Sequence, residues 1–259
     1  MRLRVSVLVL ALAGALSGPA WAQGTATSTS AGAADWGGQN IRLGVSAGLQ
    51  AGAPGFTQSS ILQIYAEDAP ITVDYGHKSA LLVDGSLGFH LKGRFGLGVA
   101  VSYARSKVDG QVHGEIPHPF YFNQPRAIDG TASGLQQTVL GTHIQALYLW
   151  PVNDKFDIMF SGGPSLIMLQ QDLVSNVNFS ETYPYDTATY ESAQLARTRR
   201  TGIGFNAGAD LTYHFTQMLG LGVLVRYTRA TISLPIAGAS NVSARAGGAQ
   251  AGVGLRVLF

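Results

Sequence analysis

From residue 41 to the C-terminus one pattern keeps returning: about ten residues in which every second side chain is apolar. Period-two alternation puts those side chains on one face of an extended strand, since successive Cβ atoms point to opposite sides. In the first segment Ile41, Leu43, Val45, Ala47 and Leu49 alternate with Arg42, Gly44, Ser46, Gly48 and Gln50. The same phase recurs at 81–92, 95–103, 140–150, 156–168, 203–215, 219–228 and 250–259. Helical periodicity is poor, and no later run reaches the ~18 apolar residues that a membrane helix requires.

The spacing of these eight segments is as regular as their interior. Tight turns at Gly93, at Val152-Asn153-Asp154 and at Thr216-Gln217 alternate with long connections at roughly 51–80, 106–137, 170–198 and 232–246. Strands of about ten residues joined alternately by short turns and long loops suit a tilted barrel crossing a bilayer, with both termini at the turn end. An even strand count lets the last strand pair with the first, removing an open edge that lipid would not tolerate. The expected fold is all-β: an eight-stranded antiparallel up-and-down transmembrane β-barrel.

The composition of the two faces supports this over a soluble sandwich or a lipocalin-like barrel. Only 12% of residues are charged, 46% are apolar, and 33 are glycine. The large apolar residues share one face, and the other is small and polar. A sandwich would instead show charge to water and bulk to a core. In an eight-stranded barrel the interior is only wide enough for side chains to fill it, so small residues belong inside and the greasy face meets acyl chains. Phe89, Phe95, Tyr148, Trp150, Phe156, Tyr213, Phe215 and Phe259 gather at the turn ends, where an interfacial aromatic girdle belongs.

Residues 1–22 read as an address. Arg2 and Arg4 precede an apolar run from Val5 to Leu16, and Ala20-Trp21-Ala22 offers a small-x-small cleavage site, the plan of a secretory signal peptide. The organisation expected is a signal peptide at 1–22, a flexible Gly/Ala/Ser/Thr-rich lead-in at 23–38, and a barrel domain at 39–259 with four long loops. Without Arg2 and Arg4 the chain carries 15 residues of each sign. That leaves no basic footprint for nucleic acid. The absence of cysteine removes disulfides, thiolate metal sites and a cysteine nucleophile.

Gly252-Val253-Gly254-Leu255-Arg256-Val257-Leu258-Phe259 resembles the terminal strand of bacterial outer-membrane β-barrel proteins. With the signal peptide, the chain over about 36–259 resembles the small eight-stranded barrels of the OmpA/OmpX-like type. The resemblance implies a cell outer-membrane location and outer-membrane lipids and lipopolysaccharide as surroundings. It also implies that Phe259 is the assembly signal read by the barrel-assembly machinery. The chain departs from OmpA in carrying no peptidoglycan-binding domain after the barrel, and its loops exceed those of the smallest barrels.

Parity places Arg42, Asp84, Asp157, Asp210, Arg226 and Arg256 inward, along with His90 and His143. Three arginines facing three aspartates predict a neutral interior network, because an unpaired buried charge costs several kcal/mol. Arg226 is expected to pair with Asp210 or, across the barrel, with Asp84. Other motifs lack their structural context. Gly44-Val45-Ser46-Ala47-Gly48 has the G-x-S-x-G form, and residues 202–207 have a loose dinucleotide form. Both lie in strands with no following helix. Two sequons, at Asn178 and Asn241, carry no weight in a bacterial-looking chain. His113 and His118 near Glu115 form a weak metal candidate that reads better as incidental residues of a mobile loop.

No catalytic, cofactor-binding or metal site is expected, and no cofactor. Three functions remain in view. The first is a non-enzymatic surface barrel with a plugged polar interior and a possible surface ligand through its loops, where Tyr183, Tyr185 and Tyr190 lie; Arg197, Arg199 and Arg200 read more simply as anchors to lipid phosphates near the outer membrane surface. The second is an enzyme acting on lipid A or phospholipid, which needs Ser, His and a carboxylate together at the lipid face; no such pair is found there. The third is a narrow solute channel, opposed by a filled interior.

Overall fold

In a computed structural model, residues 36, 38–51, 55–234 and 242–259 are described. The expected signal segment and most of the lead-in lie outside them. Ten strands run in chain order: β1 Ile41–Gln50, β2 Phe56–Ile64, β3 Glu67–Tyr75, β4 Ala80–Lys92 and β5 Phe95–Ile116. They continue as β6 Arg126–Asn153, β7 Phe156–Glu181, β8 Ala188–His214, β9 Leu219–Leu234 and β10 Val242–Leu258. Eight of them close an antiparallel ring, β1-β4-β5-β6-β7-β8-β9-β10, sealed by β10 against β1 from Arg42↔Leu258 to Gln50↔Gln250. Every neighbour in the ring is antiparallel, so the short turns collect at one end and the long connections at the other.

Side chains follow the alternation. Val45, Leu81, Leu97, Ile144, Leu166, Ile203, Val225 and Leu255 are exposed on the outside, while Arg42, Asp84, Ser102, His143, Ser165, Asp210 and Arg256 are buried within. Aromatic rings pack at the turn end, Phe95 on Tyr148 and Phe156 on Tyr213 at centroid distances of 5.2 and 4.9 Å. Phe259 lies in the same rim. Its N–H donates to the Ile41 carbonyl at 2.9 Å, and its own carbonyl accepts from Asn40 and Ile41. The last residue therefore closes the ring.

The long connections differ from the expected loops. Three of them are largely strand. β5 and β6 remain paired to Ile116↔Arg126, β7 and β8 to Glu181↔Ala188, and β9 and β10 to Leu234↔Val242. The first connection folds into the β2–β3 hairpin. Past Arg105, β5 exchanges its neighbour, leaving β4 and pairing with β3 from Gly110 to Gly114. The tall strands and this hairpin build a turret above the barrel. From Ser106 to Ile116, β5 adds 11 residues, about 35 Å along the strand at ~3.3 Å each.

The turret inverts the polarity of the barrel below. Inside it Ile71, Val73, Val108, Val112, Ile116, Ile128, Leu135 and Leu173 form an apolar core, and His113, Glu115, Asp129 and Thr131 face out. The reason is the solvent. Below, lipid lies outside and apolar side chains turn to it; above, water lies outside and they turn inward. A polar knot ties the hairpin across this core. The Tyr75 hydroxyl donates to Gln58 Oε1 at 2.7 Å and accepts from the Val174 N–H at 2.8 Å, while Gln58 Nε2 donates to the Val174 carbonyl at 2.7 Å. Val174 has these groups to spare because it sits at a bulge between β7 and β8.

The turn end is also closed. Trp36, at the end of the expected flexible lead-in, is instead buried, packed with Leu147 and Leu149 and donating from Nε1 to the Arg94 carbonyl at 3.4 Å. A Cβ on Gly96 would lie 2.5 Å from the indole, so the close approach requires glycine there.

Candidate functional site

The barrel interior brings together the residues that parity placed inside. β1 and β7 stand opposite each other in the ring, with three strands between them either way. Arg42 on β1 spans the bore to Asp157 on β7 with two parallel hydrogen bonds of 3.0 and 2.9 Å. It also donates to Thr212. Thr212 donates in turn to Asp210 at 3.0 Å, and Asp210 accepts from Arg256 Nε at 3.1 and 3.0 Å as well as from its Nη2. His214 Nε2 stands 2.6 Å from Asp157. A second group joins Arg226 to Asp84 across two intervening strands, and to Gln250 at 2.8 Å, which continues to Gln50 at 2.8 Å.

Each guanidinium therefore has a carboxylate, and the interior charge balances. Glycines create the space. A Cβ on Gly222 would sit 2.6 Å from Arg256 Cζ, so a larger residue there would push the guanidinium off Asp210. Paired, hydrogen-bonded charges of this kind can be kept dry, whereas a lone one cannot.

One set of polar contacts was not anticipated from sequence. His143, fully buried on β6, lies between two hydroxyls. Ser102 Oγ is 3.0 Å from its Nε2, and Ser165 Oγ is 2.8 Å from its Nδ1. Asn206 donates to Ser165 at 2.9 Å and accepts from Gln145 at 2.7 Å. An acyl hydrolase needs a serine–histidine pair on the lipid face, but this pair is inside. Shared inward parity on adjacent strands β5, β6 and β7 was the available signal. Among the described residues no carboxylate hydrogen-bonds to His143, and Ser102 and Ser165 are each about 97% buried. A substrate carbonyl cannot reach either hydroxyl without unpacking the bore. The set is a buried hydrogen-bond bridge that ties β5, β6 and β7 together inside the bore.

Above the ionic layer lies a second seal of Leu82, Val139, Ile167, Leu169 and Ile232, and above that the turret core. The expected loop histidines do not converge. His113 is exposed on β5 and bonds Asp129 at 2.6 Å. His118 is buried past the strand end, its Nδ1 accepting from the N–H groups of Phe120 and Tyr121. His113 lies within β5 and His118 in the short connection between β5 and β6, so the two do not share one loop. Of the three arginines beyond the barrel, Arg197 pairs with Asp172 at 2.7 Å, and Arg199 Nε lies 2.8 Å from Met168 Sδ.

The turret tip is the other feature that stands out. Phe120, Tyr121, Phe122 and Tyr183 are exposed there by 59–80%, unusual for rings of that size in water. Their backbone is held from below. Arg126 donates to the carbonyls of Pro117 at 2.7 Å and Tyr185 at 2.9 Å and forms an ion pair with Glu181 at 2.6 Å. Phe120 packs edge-on against Tyr185 at 5.4 Å, and Glu67 accepts from the Asn123 N–H at 3.0 Å.

No protein-family model and no curated protein matches the chain. Solved structures similar to it include the outer membrane protein OprG from Pseudomonas aeruginosa, 11% identical, covering 85% of this chain and 97% of that one with a TM-score of 0.42. Neisserial surface protein A is 13% identical, with the same coverages and a TM-score of 0.46. The outer membrane protease OmpT from Escherichia coli is 10% identical, again with those coverages and a TM-score of 0.47. Identities this low transfer no residue and no activity. The class rests on the structure itself: a closed ring, a lipid-facing apolar belt with an aromatic girdle, and a paired polar bore define a small transmembrane β-barrel of the outer-membrane kind.

Proposed function

We propose that the protein is a non-enzymatic outer-membrane barrel that works by contact at the cell surface, with the turret tip as its contact face. The observation that carries this reading is the cluster of exposed aromatics at the tip, braced by Arg126, above a bore crossed by paired charges and an apolar seal. Exposed rings on a braced backbone lose little freedom on binding, which is why such groups dominate protein interfaces. The filled bore weighs against a channel, and the sealed Ser102–His143–Ser165 set weighs against acyl hydrolysis.

The test is expression in the outer membrane of a laboratory Gram-negative host. Heat-modifiable gel mobility establishes insertion. Binding of cells to immobilised proteins, glycans and sibling cells is compared for the native chain and for Phe120→Ser/Tyr121→Ser/Phe122→Ser. Binding lost in the triple variant, with lipid A and phospholipid mass spectra matching an empty-vector control, is the expected result. A lost or added acyl chain in those spectra would replace this reading with an enzyme.

A further inference from the structure

After Asp210 the chain runs 49 residues to its end without one Asp or Glu, yet carries four arginines. Two of them, Arg226 and Arg256, turn inward to the aspartates already described. The other two, Arg229 on β9 and Arg245 on β10, turn outward, and neither makes a hydrogen bond or ion pair among the described residues. They are near neighbours. Arg229 is paired with Gly247 and Arg245 with Thr231, so the two cations occupy diagonal positions on one face of the sheet. Among the described residues of the neighbouring strands no carboxylate separates them. β1 has none, and β8 has none between Ala193 and Ala209.

The position opposite Arg229 is also empty of side chain. Gly247 has φ +101°, a conformation that favours glycine. A cavity of about 80 Å³ opens there, lined by Tyr227, Arg229, Arg245 and Gly247 among others. It is a shallow notch, open on one side rather than an enclosed cavity. Directly below it the outward row is Tyr227, Val225 and Val223, which belong to the lipid belt. The pair therefore lies where the belt gives way to water.

We infer that Arg229 and Arg245 form a binding site for the phosphate of a membrane-anchored lipid headgroup in the outer leaflet. Two guanidinium forks match a phosphate's oxygens, and an anion between them relieves their mutual repulsion. The lipid source follows from depth: an acyl chain descending from this notch runs along Val225 and Val223, a contact that a soluble phosphate does not make. The inference rests on the surface orientation taken for the turret.

The experiment is native mass spectrometry of the full mature barrel refolded in detergent. It is titrated with bisphosphorylated lipid A, with lipid A stripped of its phosphates, and with inorganic phosphate. Each arginine near a membrane phosphate is worth roughly a five-fold change in affinity. Arg229→Gln/Arg245→Gln should therefore weaken intact lipid A about 25-fold. Arg105→Gln, at the same height on β5 but bonded to Gln136, should leave it unchanged. Stripped lipid should bind the native chain as weakly as intact lipid binds the double variant. Equal binding of intact and stripped lipid, or native affinity in the double variant, would overturn the site. Arginine-dependent binding of inorganic phosphate as tight as that of lipid A would overturn the lipid source. Surface orientation is read separately, by labelling Phe122→Cys on intact cells. No labelling would sink the outer-leaflet assignment, while the arginine dependence in detergent would still decide the phosphate site.

Discussion

Replacing Arg226 by leucine removes the positive half of a pair whose side chains are 1% and 3% exposed. The change strips Asp84 of its guanidinium and Gln250 of a 2.8 Å donor. The remaining interior arginines are committed, Arg42 to Asp157 and Arg256 to Asp210, so Asp84 acquires no substitute without breaking another pair. Breaking one side of a buried ion pair costs about 3–5 kcal/mol. The variant should insert, since its lipid face and Phe259 are untouched, but unfold at lower denaturant by that margin. The double variant Arg226→Leu/Asp84→Leu removes both charges together. It should recover most of the loss, because apolar replacements of a whole buried pair are often neutral or stabilising. The assay is guanidinium unfolding in lipid vesicles, followed by tryptophan fluorescence and gel mobility, arranged as a double-mutant cycle. Equal destabilisation of the single and double variants would show that Asp84 does not depend on Arg226, and the pairing argument would fail.

Tyr75→Phe should loosen the β2–β3 hairpin while sparing the barrel. It leaves the Val174 N–H and Gln58 short of a partner in an apolar core, at a cost of about 1–3 kcal/mol, seen as faster amide exchange in β2 and β3. Gly222→Ala should destabilise the barrel by displacing Arg256 from Asp210; denaturant stability equal to the native chain would mean that the guanidinium has room to spare. In the turret, Arg197 beside Asp172, helped by the Gln136 N–H, holds the Asp172 carboxyl below its ordinary value. A lowered carboxylate stabilises fully above its unfolded pKa of about 4 and loses that contribution as pH falls through the folded value. The turret should therefore loosen below about pH 4, as read by limited pepsin proteolysis between β7 and β8. In Asp172→Asn that extra acid sensitivity should vanish.

The strands of the barrel were legible because alternation is a local property: each Cβ turns to the opposite face from the last, whatever the rest of the chain does. The same rule ran on past the membrane unnoticed. In β5 the even positions Ser102 and Ala104 point inward, and so do Val108, Val112 and Ile116. The parity is constant, but the polarity reverses at Arg105 because water replaces lipid outside. Beyond that point the outward face is no longer apolar, so the alternation no longer marks a membrane strand. Trp36 was missed for a different reason: one aromatic residue in a Gly/Ala-rich stretch shows its place only against Gly96 and Leu147, which approach it from distant strands.

Partner choice was the part that no local rule supplies. The sequence by itself determined that three arginines and three aspartates turn inward, that the lipid face is apolar, and that the last alternating segment runs to Phe259. It left two candidates for Arg226. Closure of the ring decided between them, since only a bore this narrow brings β9 within a side chain's reach of β4, 142 residues away. The outward arginines show the same division. Their lack of any acidic residue after Asp210 is written in the sequence. That Arg229 and Arg245 stand side by side over a glycine, at the upper edge of the lipid belt, depends on the register of β9 against β10, and register is a property of the folded sheet.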